Sequence, residues 1–272
     1  SSVIRNAAGI ESEILVVDNR SDDGSPELVE RRFPRVRLIR NRENAGFSKA
    51  NNRAIRESRG EFVLILNTDT ELFPGTLGPL IDEMTGHPST GIAGPALLNA
   101  RNGVQVSFGG KIDFFREFFR KSFLNAVRSR SLAGDSRRRE TSWVSGAFML
   151  ARRSALVDAG LFDEGFFLYF EDIDLCLRAG EKGWNVVYLP MARAFHEGGA
   201  TTLPRGLRSR WEYRRSQLRF YGRHCGPVSR RLLRSYIRLS AWSLRFRGLF
   251  DEEAARWAPR FSALLKKGAA PA

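Results

Sequence analysis

Between residues 13 and 98 the β-branched and apolar side chains fall into four short runs, EILVV (13–17), VRLI (36–39), EFVLIL (61–66) and GIAGPALL (91–98). Each run is too short for a helix and too continuously apolar for an exposed hairpin, so each is predicted as a strand buried on both faces. The stretches between them carry helical signals. SPELVERRF begins with Ser25 as N-cap and Pro26 at the first helical position, and GFSKANNRAIRES sets Phe47, Ala50, Ala54 and Ile55 on one face. Strand alternating with helix predicts βαβ units around a parallel sheet, whose ligands gather beyond the carboxyl ends of the strands. The residues there are polar: Asp18-Asn19 and RSDDGS after the first run, RNRENAGF after the second, Asn67-Thr68-Asp69 after the third.

Downstream the pattern is less regular. ARNGVQVSFGG (100–110) reads as a hairpin, and residues 114–140 as part amphipathic helix and part loop. A second ordered stretch, from SWVSGAF (142–148) to VVYLP (186–190), is predicted to end in a strand at about Val186 to Leu189. From Arg205 onward the pattern is helical and basic, which divides the chain into a domain over 1–204 and a basic amphipathic tail over 205–272.

Composition bounds what these elements can do. With 272 residues, 42% of them hydrophobic, the chain can bury one substantial core and a small appendage. Cys176 and Cys225 lie far apart without CxxC or Cys/His spacing, so reduced thiols are expected rather than a disulfide framework or a zinc knuckle. No apolar run approaches the ~18 residues of a spanning helix, and the first residues lack a signal-peptide pattern. The net charge of +14 suggests nucleic acid until it is mapped: residues 203–250 hold thirteen Arg and one acid, Glu212. The charge belongs to the tail.

Three groups of residues carry candidate chemistry. Asn67 and Asp69, two positions apart after a strand, suit two oxygen ligands of Mg²⁺ or Mn²⁺, although a turn closing the strand accounts for them equally well. Asp18 at a strand end could accept from a pyrimidine N3–H or simply cap a turn, and Gly46 opens a helix whose N-terminal amides favour phosphate. In FFLYFEDIDLCLR (166–178), Glu171, Asp172 and Asp174 stand at the start of a helix behind five apolar or aromatic residues. The helix dipole and an Asp174–Arg178 pair account for one or two of these acids. Desolvation at the junction raises the pKa of a carboxylate and improves it as a base, which leaves Glu171-Asp172 as a candidate general-base pair. His196, in the Gly-rich FHEGGATT after a strand, is a candidate metal ligand alongside Asp69, or a structural histidine.

ILVVDNRSDDGSPELV, NRENAGFSKANNRAI, FVLILNTDTEL, GIAGPAL, WVSGAFMLARRSAL, GLFDEGFFLYFEDIDLCLRAGEKGW and FHEGGATT occur in the order found in family 2 glycosyltransferases, and residues 1–205 resemble most the bacterial rhamnosyltransferase-like branch that builds cell-surface polysaccharide. The resemblance implies a GT-A fold, α/β with a mostly parallel Rossmann-like sheet flanked by helices, and a metal-dependent, inverting enzyme. It implies a nucleotide-diphosphate sugar donor, with dTDP-rhamnose the favoured one, and a lipid-linked or polysaccharide acceptor. It further implies that Asp18, Asn19, Asp23, Asn44, Gly46 and Asn67 bind the donor. Asp69 and His196 would hold Mg²⁺ or Mn²⁺, Asp172 of the Glu171-Asp172 pair would act as base, and Trp143, Ser145 and Gly146 would face the acceptor. Asn67 stands where the family usually has the first Asp of its metal motif. The family's first strand finds no match, so an N-terminally truncated sheet is expected.

In the tail, RRLLRSYIRLSAWSLRFRGLF mixes Leu233, Tyr236, Ile237, Trp242, Leu244, Phe246 and Phe250 with arginines, as interfacial helices do. Peripheral contact with an anionic membrane, at the inner face of the cell membrane of a cytoplasmic protein, and a helical pair with a solvated basic face are both open on this pattern. Nucleic acid is not expected, because the aromatic residues follow a helical stripe rather than a stacking platform. A catalytically impaired scaffold of the same fold, or a basic binding module, are the alternatives to an enzyme.

Overall fold

A computed structural model describes residues 2–100, 103–119, 136–197 and 206–266. In chain order the described elements are α1 (Ser2–Asn6), β1 (Leu15–Asp18), α2 (Ser25–Arg32), β2 (Arg37–Arg40), α3 (Gly46–Glu57), β3 (Phe62–Leu66), β4 (Thr70–Leu72), α4 (Leu77–Gly86), β5 (Thr90–Leu98) and β6 (Phe108–Gly109). They continue with α5 (Phe114–Phe119), β7 (Arg139–Thr141), β8 (Trp143–Val144), β9 (Phe148–Arg152), α6 (Arg153–Asp158), α7 (Glu171–Glu181), β10 (Asn185–His196), α8 (Gly206–His224), α9 (Pro227–Arg247) and α10 (Glu252–Lys266). Most of the stretch expected to be part helix and part loop, residues 120–135, and the Gly-rich turn after His196 lie outside the described residues.

Two compact units are present. The first draws its described residues from Ser1–Gly110, Val127–Phe167 and Glu171–Glu197, and the second from Lys111–Ala126, Leu168–Phe170 and Gly198–Ala272. The borders therefore do not follow a single break at residue 204. Hydrogen bonds within the second unit show why: the buried Glu117 carboxylate of α5 accepts from Gln217 Nε2 at 2.8 Å, Tyr221 Oη at 2.7 Å and Tyr213 Oη, all on α8. Ser216 Oγ of the same helix donates to Leu168 O at 2.7 Å, and the Phe170 ring sits 5.1 Å from that of Phe220.

The first unit is an α/β layer. Its main sheet runs β3-β9-β5-β10-β4, with β7 paired to β10. β5 and β10 are parallel, and β3 shares their direction because β9 is antiparallel to both β3 and β5. Leu80 and Met84 of α4 share one core cluster with Ala93, Leu97, Phe148, Val187 and Ala194 of this sheet's strands, each almost fully buried. β1 and β2 pair in parallel, Leu15 opposite Arg37 to Asp18 opposite Arg40, but as a separate two-stranded ribbon. Burial on both faces fails here: all of β1 is half-buried and only Ile39 of β2 is buried, because the ribbon has no neighbouring strand among the described residues.

Local chemistry moved other expectations by small amounts. Gly24 (φ 78°), not Ser25, occupies the N-cap of α2, and the capping oxygen comes from Asp23, whose Oδ1 accepts Ser25 N at 3.0 Å. β10 runs on past Leu189 to His196, because a register shift between Leu189 and Arg193 absorbs Pro190, which has no N–H to give the ladder. Of the hairpin expected over residues 100–110, the described residues show an isolated antiparallel Leu98–Val104 bridge, while β6 pairs with β8 instead. Both cysteines are buried free thiols.

Candidate functional site

The convergence starts at the Ser145-Gly146-Ala147 turn between β8 and β9. Gly146 N donates to Asp172 Oδ2 at 2.8 Å, and the next residue turns the other way: Ala147 O accepts Asn67 N at 3.0 Å and Thr70 Oγ1 at 3.2 Å. One dipeptide thus ties the start of α7 to the turn after β3. A Cβ on residue 146 would stand 3.1 Å from Asp172 Cβ and 3.5 Å from the Phe47 ring, so glycine permits this approach. Ser145 is held by its own amide on Ser107 O at 2.8 Å. Trp143 is buried rather than presented: its indole donates to Gly110 O at 3.1 Å and its ring lies against Gly109.

The turn after β3 carries Asp69. Thr70 N closes it on Asn67 O at 3.2 Å, so residues 67–69 form a turn and their two-position spacing does not by itself set Asn67 and Asp69 on one side. Antiparallel pairing of β4 with β10 sets Thr70 opposite His196 and brings His196 Nε2 to 3.4 Å from Asp69 Oδ1. A side chain not singled out from the sequence, Gln105, orients the imidazole. Gln105 Nε2 donates to His196 O at 2.7 Å, which fixes the amide and leaves Oε1 facing His196 Nδ1 at 3.0 Å. Nδ1 then carries a proton, and in the neutral ring Nε2 presents a lone pair. That nitrogen is buried and takes no hydrogen bond. A lone pair aimed at a carboxylate oxygen is unfavourable unless a proton or a metal cation joins them, and an imidazole whose other nitrogen donates to a carbonyl oxygen has the arrangement found in metal-binding histidines. Asp69 and His196 fit a divalent cation, as two ligands only: among the described residues no three His, Cys, Asp or Glu side chains converge. Remaining positions would fall to water and phosphate oxygens, as Mg²⁺ and Mn²⁺ accept.

At the head of α7 the three acids separate into different roles. Asp174 is buried and paired with Arg178, whose Nε lies 2.8 Å from Oδ2, as the spacing predicted. Asp172 accepts Gly146 N and, through Oδ1, Ile173 N at 2.8 Å. Glu171 is buried with Oε2 lacking a hydrogen bond; burial, then the neighbouring Asp172 and Asp174 charges, hold its pKa well above the ordinary carboxylate range. Burial thus favours its protonated form. The peptide that delivers this pair is strained: Tyr169 (φ 72°) and Phe170 (φ 69°) are consecutive left-handed residues, each costing about 1–2 kcal/mol.

The loops after β1 and β2 assemble around the start of α3. Asn41 Nδ2 donates to Asn19 Oδ1 at 2.8 Å and Asn19 Nδ2 to Gly46 O at 3.3 Å. Asn44 Oδ1 takes Gly46 N at 3.1 Å and Phe167 O takes Phe47 N at 2.9 Å. The first two amides of α3 are therefore engaged internally and are not the open phosphate cradle that the sequence suggested. Asp18 Oδ1 accepts Ser21 N at 3.0 Å; slight burial raises its pKa, but the Ser21 donors and Arg40 outweigh that and the net direction is down. Asp23 is also lowered, by the Ser25 hydrogen bonds that cap α2.

Comparison with known proteins shows the family. Residues 1–159 match the model of the family described as glycosyl transferase family 2. The chain belongs to this family. The family 2 chain is 33% identical over 209 residues, 70% of its length and 67% of the relative's, to the N-acetylglucosaminyl-diphospho-decaprenol L-rhamnosyltransferase of Mycobacterium tuberculosis. It is 39% identical over 77 residues, 28% of its length and 29% of the relative's, to rhamnosyltransferase WbbL of Escherichia coli K12. Two solved structures share its GT-A fold. GalNAc-T7 with UDP, GalNAc and Mn²⁺ superimposes with a TM-score of 0.58 at 15% identity, over 81% of this chain and 44% of that one. The Pyrobaculum calidifontis mannosyltransferase with GDP-Man and Mn²⁺ gives 0.53 at 18% identity, over 94% and 72%.

Proposed function

We propose that this family 2 glycosyltransferase moves a hexose, rhamnose from dTDP-rhamnose as the first choice, from a nucleotide-diphosphate donor to a hydroxyl of a lipid-linked or polysaccharide acceptor in cell-surface glycan synthesis, with inversion at the anomeric carbon. The observation that carries the reading is the short bridge through Gly146 and Ala147, which joins Asp172 to the turn bearing Asp69 beside His196. A base next to a charge-neutralising centre, yet separate from it, is what inverting transfer requires. The rhamnosyltransferase relatives support the sugar, and the acceptor follows the decaprenol-linked substrate in the name of the mycobacterial one.

In this reading the Asp172 carboxylate removes the proton of the acceptor hydroxyl as its oxygen attacks the anomeric carbon. The bond from that carbon to the diphosphate oxygen breaks, and the electron pair leaves with the nucleoside diphosphate. Backbone amides on both Asp172 oxygens hold the carboxylate in one orientation. Glu171, buried beside it, supports the pair without touching the acceptor. Asp18 and Asn19 face the base, Asp23 the ribose, and the Asn44-Gly46 turn and Asn67 the donor, while Ser145 and Gly146 border the acceptor and Trp143 braces their turn. Mg²⁺ or Mn²⁺ held by Asp69 and His196 supplies neutralisation of the diphosphate charge. The tail carries the protein to an anionic membrane, where a lipid-linked acceptor resides.

A thermal-shift panel of nucleotide sugars with and without Mn²⁺, followed by transfer assays on Asp172→Asn, tests the reading. A metal-dependent shift with one nucleotide sugar is expected, together with a loss of transfer of about 10²–10⁴-fold in a variant that still shows the shift. Equal background hydrolysis by wild type and variant would support the impaired scaffold instead.

A further inference from the structure

Helix α9 has two apolar faces, and only one of them is used. Leu233, Ile237, Ala241 and Leu244 are buried within the helical unit, Ala241 and Leu244 in one cluster with Ala254, Ala258 and Phe261 of α10. At about 3.6 residues per turn, Val228, Leu239, Trp242 and Phe246 fall on the opposite side, with Tyr236 at its margin. All five are exposed, Leu239 by 68%, Trp242 by 70% and Phe246 by 61%, and Phe250 just beyond the helix by 84%. Along one border of this stripe run Arg231, Arg238 and Arg245, seven residues apart and exposed, with no partner among the described residues. α9 carries six arginines and no acid.

We infer that this stripe is a membrane-docking face, laid flat on an anionic lipid surface with Leu239, Trp242 and Phe246 in the headgroup–acyl boundary and the arginine row on lipid phosphates. The inference rests on the proposed use of a lipid-linked acceptor and names the face that would reach it. Charge complementarity selects the occupant. A second copy meeting the stripe would set arginine rows against each other with no acid on α9 to answer them. An apolar ridge of Leu, Val and Phe offers a nucleic-acid backbone nothing, whereas a bilayer interface accepts aromatic and aliphatic groups and cations together. No helix among the described residues is long and apolar enough to cross a membrane, so the face describes surface contact.

Co-sedimentation of the full chain with phosphatidylcholine vesicles, with and without phosphatidylglycerol, tests the inference. Binding is expected only with phosphatidylglycerol and falls as salt rises. Replacing Arg231, Arg238 and Arg245 together by Gln is expected to weaken partition about 100-fold, from roughly 1 kcal/mol per arginine. Leu239→Gln/Trp242→Gln/Phe246→Gln is expected to weaken it at least as much, and the exposure of these positions leaves the circular dichroism spectrum unchanged. Equal binding to neutral vesicles, no binding at all, unaltered binding by either triple variant, or displacement of the vesicles by duplex DNA would overturn it. So would a wild-type dimer that the apolar triple variant dissociates. The donor-dependent thermal shift, measured on the same samples, separates the two readings: vesicle binding without any donor shift supports the docking face and sinks the transferase.

Discussion

Replacing Gly46 by alanine probes the packing of the donor loop against the segment that leads to Asp172. Gly46 has φ +81°, and a Cβ there would lie 2.6 Å from both Phe167 Cδ2 and Phe167 O and 3.1 Å from Phe167 Cα. Two of these three atoms are backbone, so the neighbour cannot swing away. The left-handed conformation itself costs an L-residue about 1–2 kcal/mol. Gly24 isolates that contribution, since it has φ +78° and a Cβ added there would meet nothing within 4 Å. Steric overlap adds about 1–3 kcal/mol at Gly46. Displacing Phe167 O also weakens its hydrogen bond from Phe47 N, for about another 1 kcal/mol. Gly46→Ala should therefore lose about 2–4 kcal/mol more than Gly24→Ala in urea denaturation followed by tryptophan fluorescence. Equal losses in the two variants would refute the close approach, and with it the idea that α3 and the peptide before α7 are held together at this point.

Gln105→Leu removes the acceptor of His196 Nδ1–H and should weaken Mn²⁺ binding about 10–100-fold in a metal titration, with the circular dichroism spectrum retained. Glu171→Gln tests the buried proton. Because the folded-state pKa of Glu171 is raised above its ordinary 4.5, the native state binds the extra proton, and wild-type stability falls as pH rises from that value through the raised one. The Gln variant should lack this slope, so urea midpoints at pH 5 and pH 8 should converge relative to wild type; parallel pH profiles would count against the assignment.

Of the four predicted strands, β3 and β5 were the most legible because a charged residue interrupts neither run, and their observed ends lie within a residue of the pattern. The start of α7 and the Asp174–Arg178 pair were equally plain, since i,i+4 spacing is a local rule. What stayed hidden depends on contacts between distant residues. β4 is three residues long and exists because β10 pairs with it. The left-handed Tyr169-Phe170 pair has no composition signature, and ring packing of Phe170 on Phe220 and of Tyr169 on Tyr213 compensates its cost. At the site, Asp69 and His196 were singled out as ligands and do lie together, but their orientation is set by Gln105. One signal for it was available: Gln105 alternates with Val104 and Val106 and so points away from their face.

The separation of β1 and β2 from the main sheet has a consequence for how the site breathes. No ladder of backbone bonds fastens that ribbon to β3; its ties to other elements among the described residues involve side chains, among them Asn19 to Gly46, Arg37 to Glu57, Glu13 to the Arg59 amide and Arg53 to Arg40 O and Asn41 Oδ1. Two strands alone are marginal in water. The ribbon that ends in Asp18 and Asn19 is thus a low-lying foldon, whose amides exchange with solvent well before those of β5 and β10, and any molecule that grips Asp18 gains affinity only after stilling it.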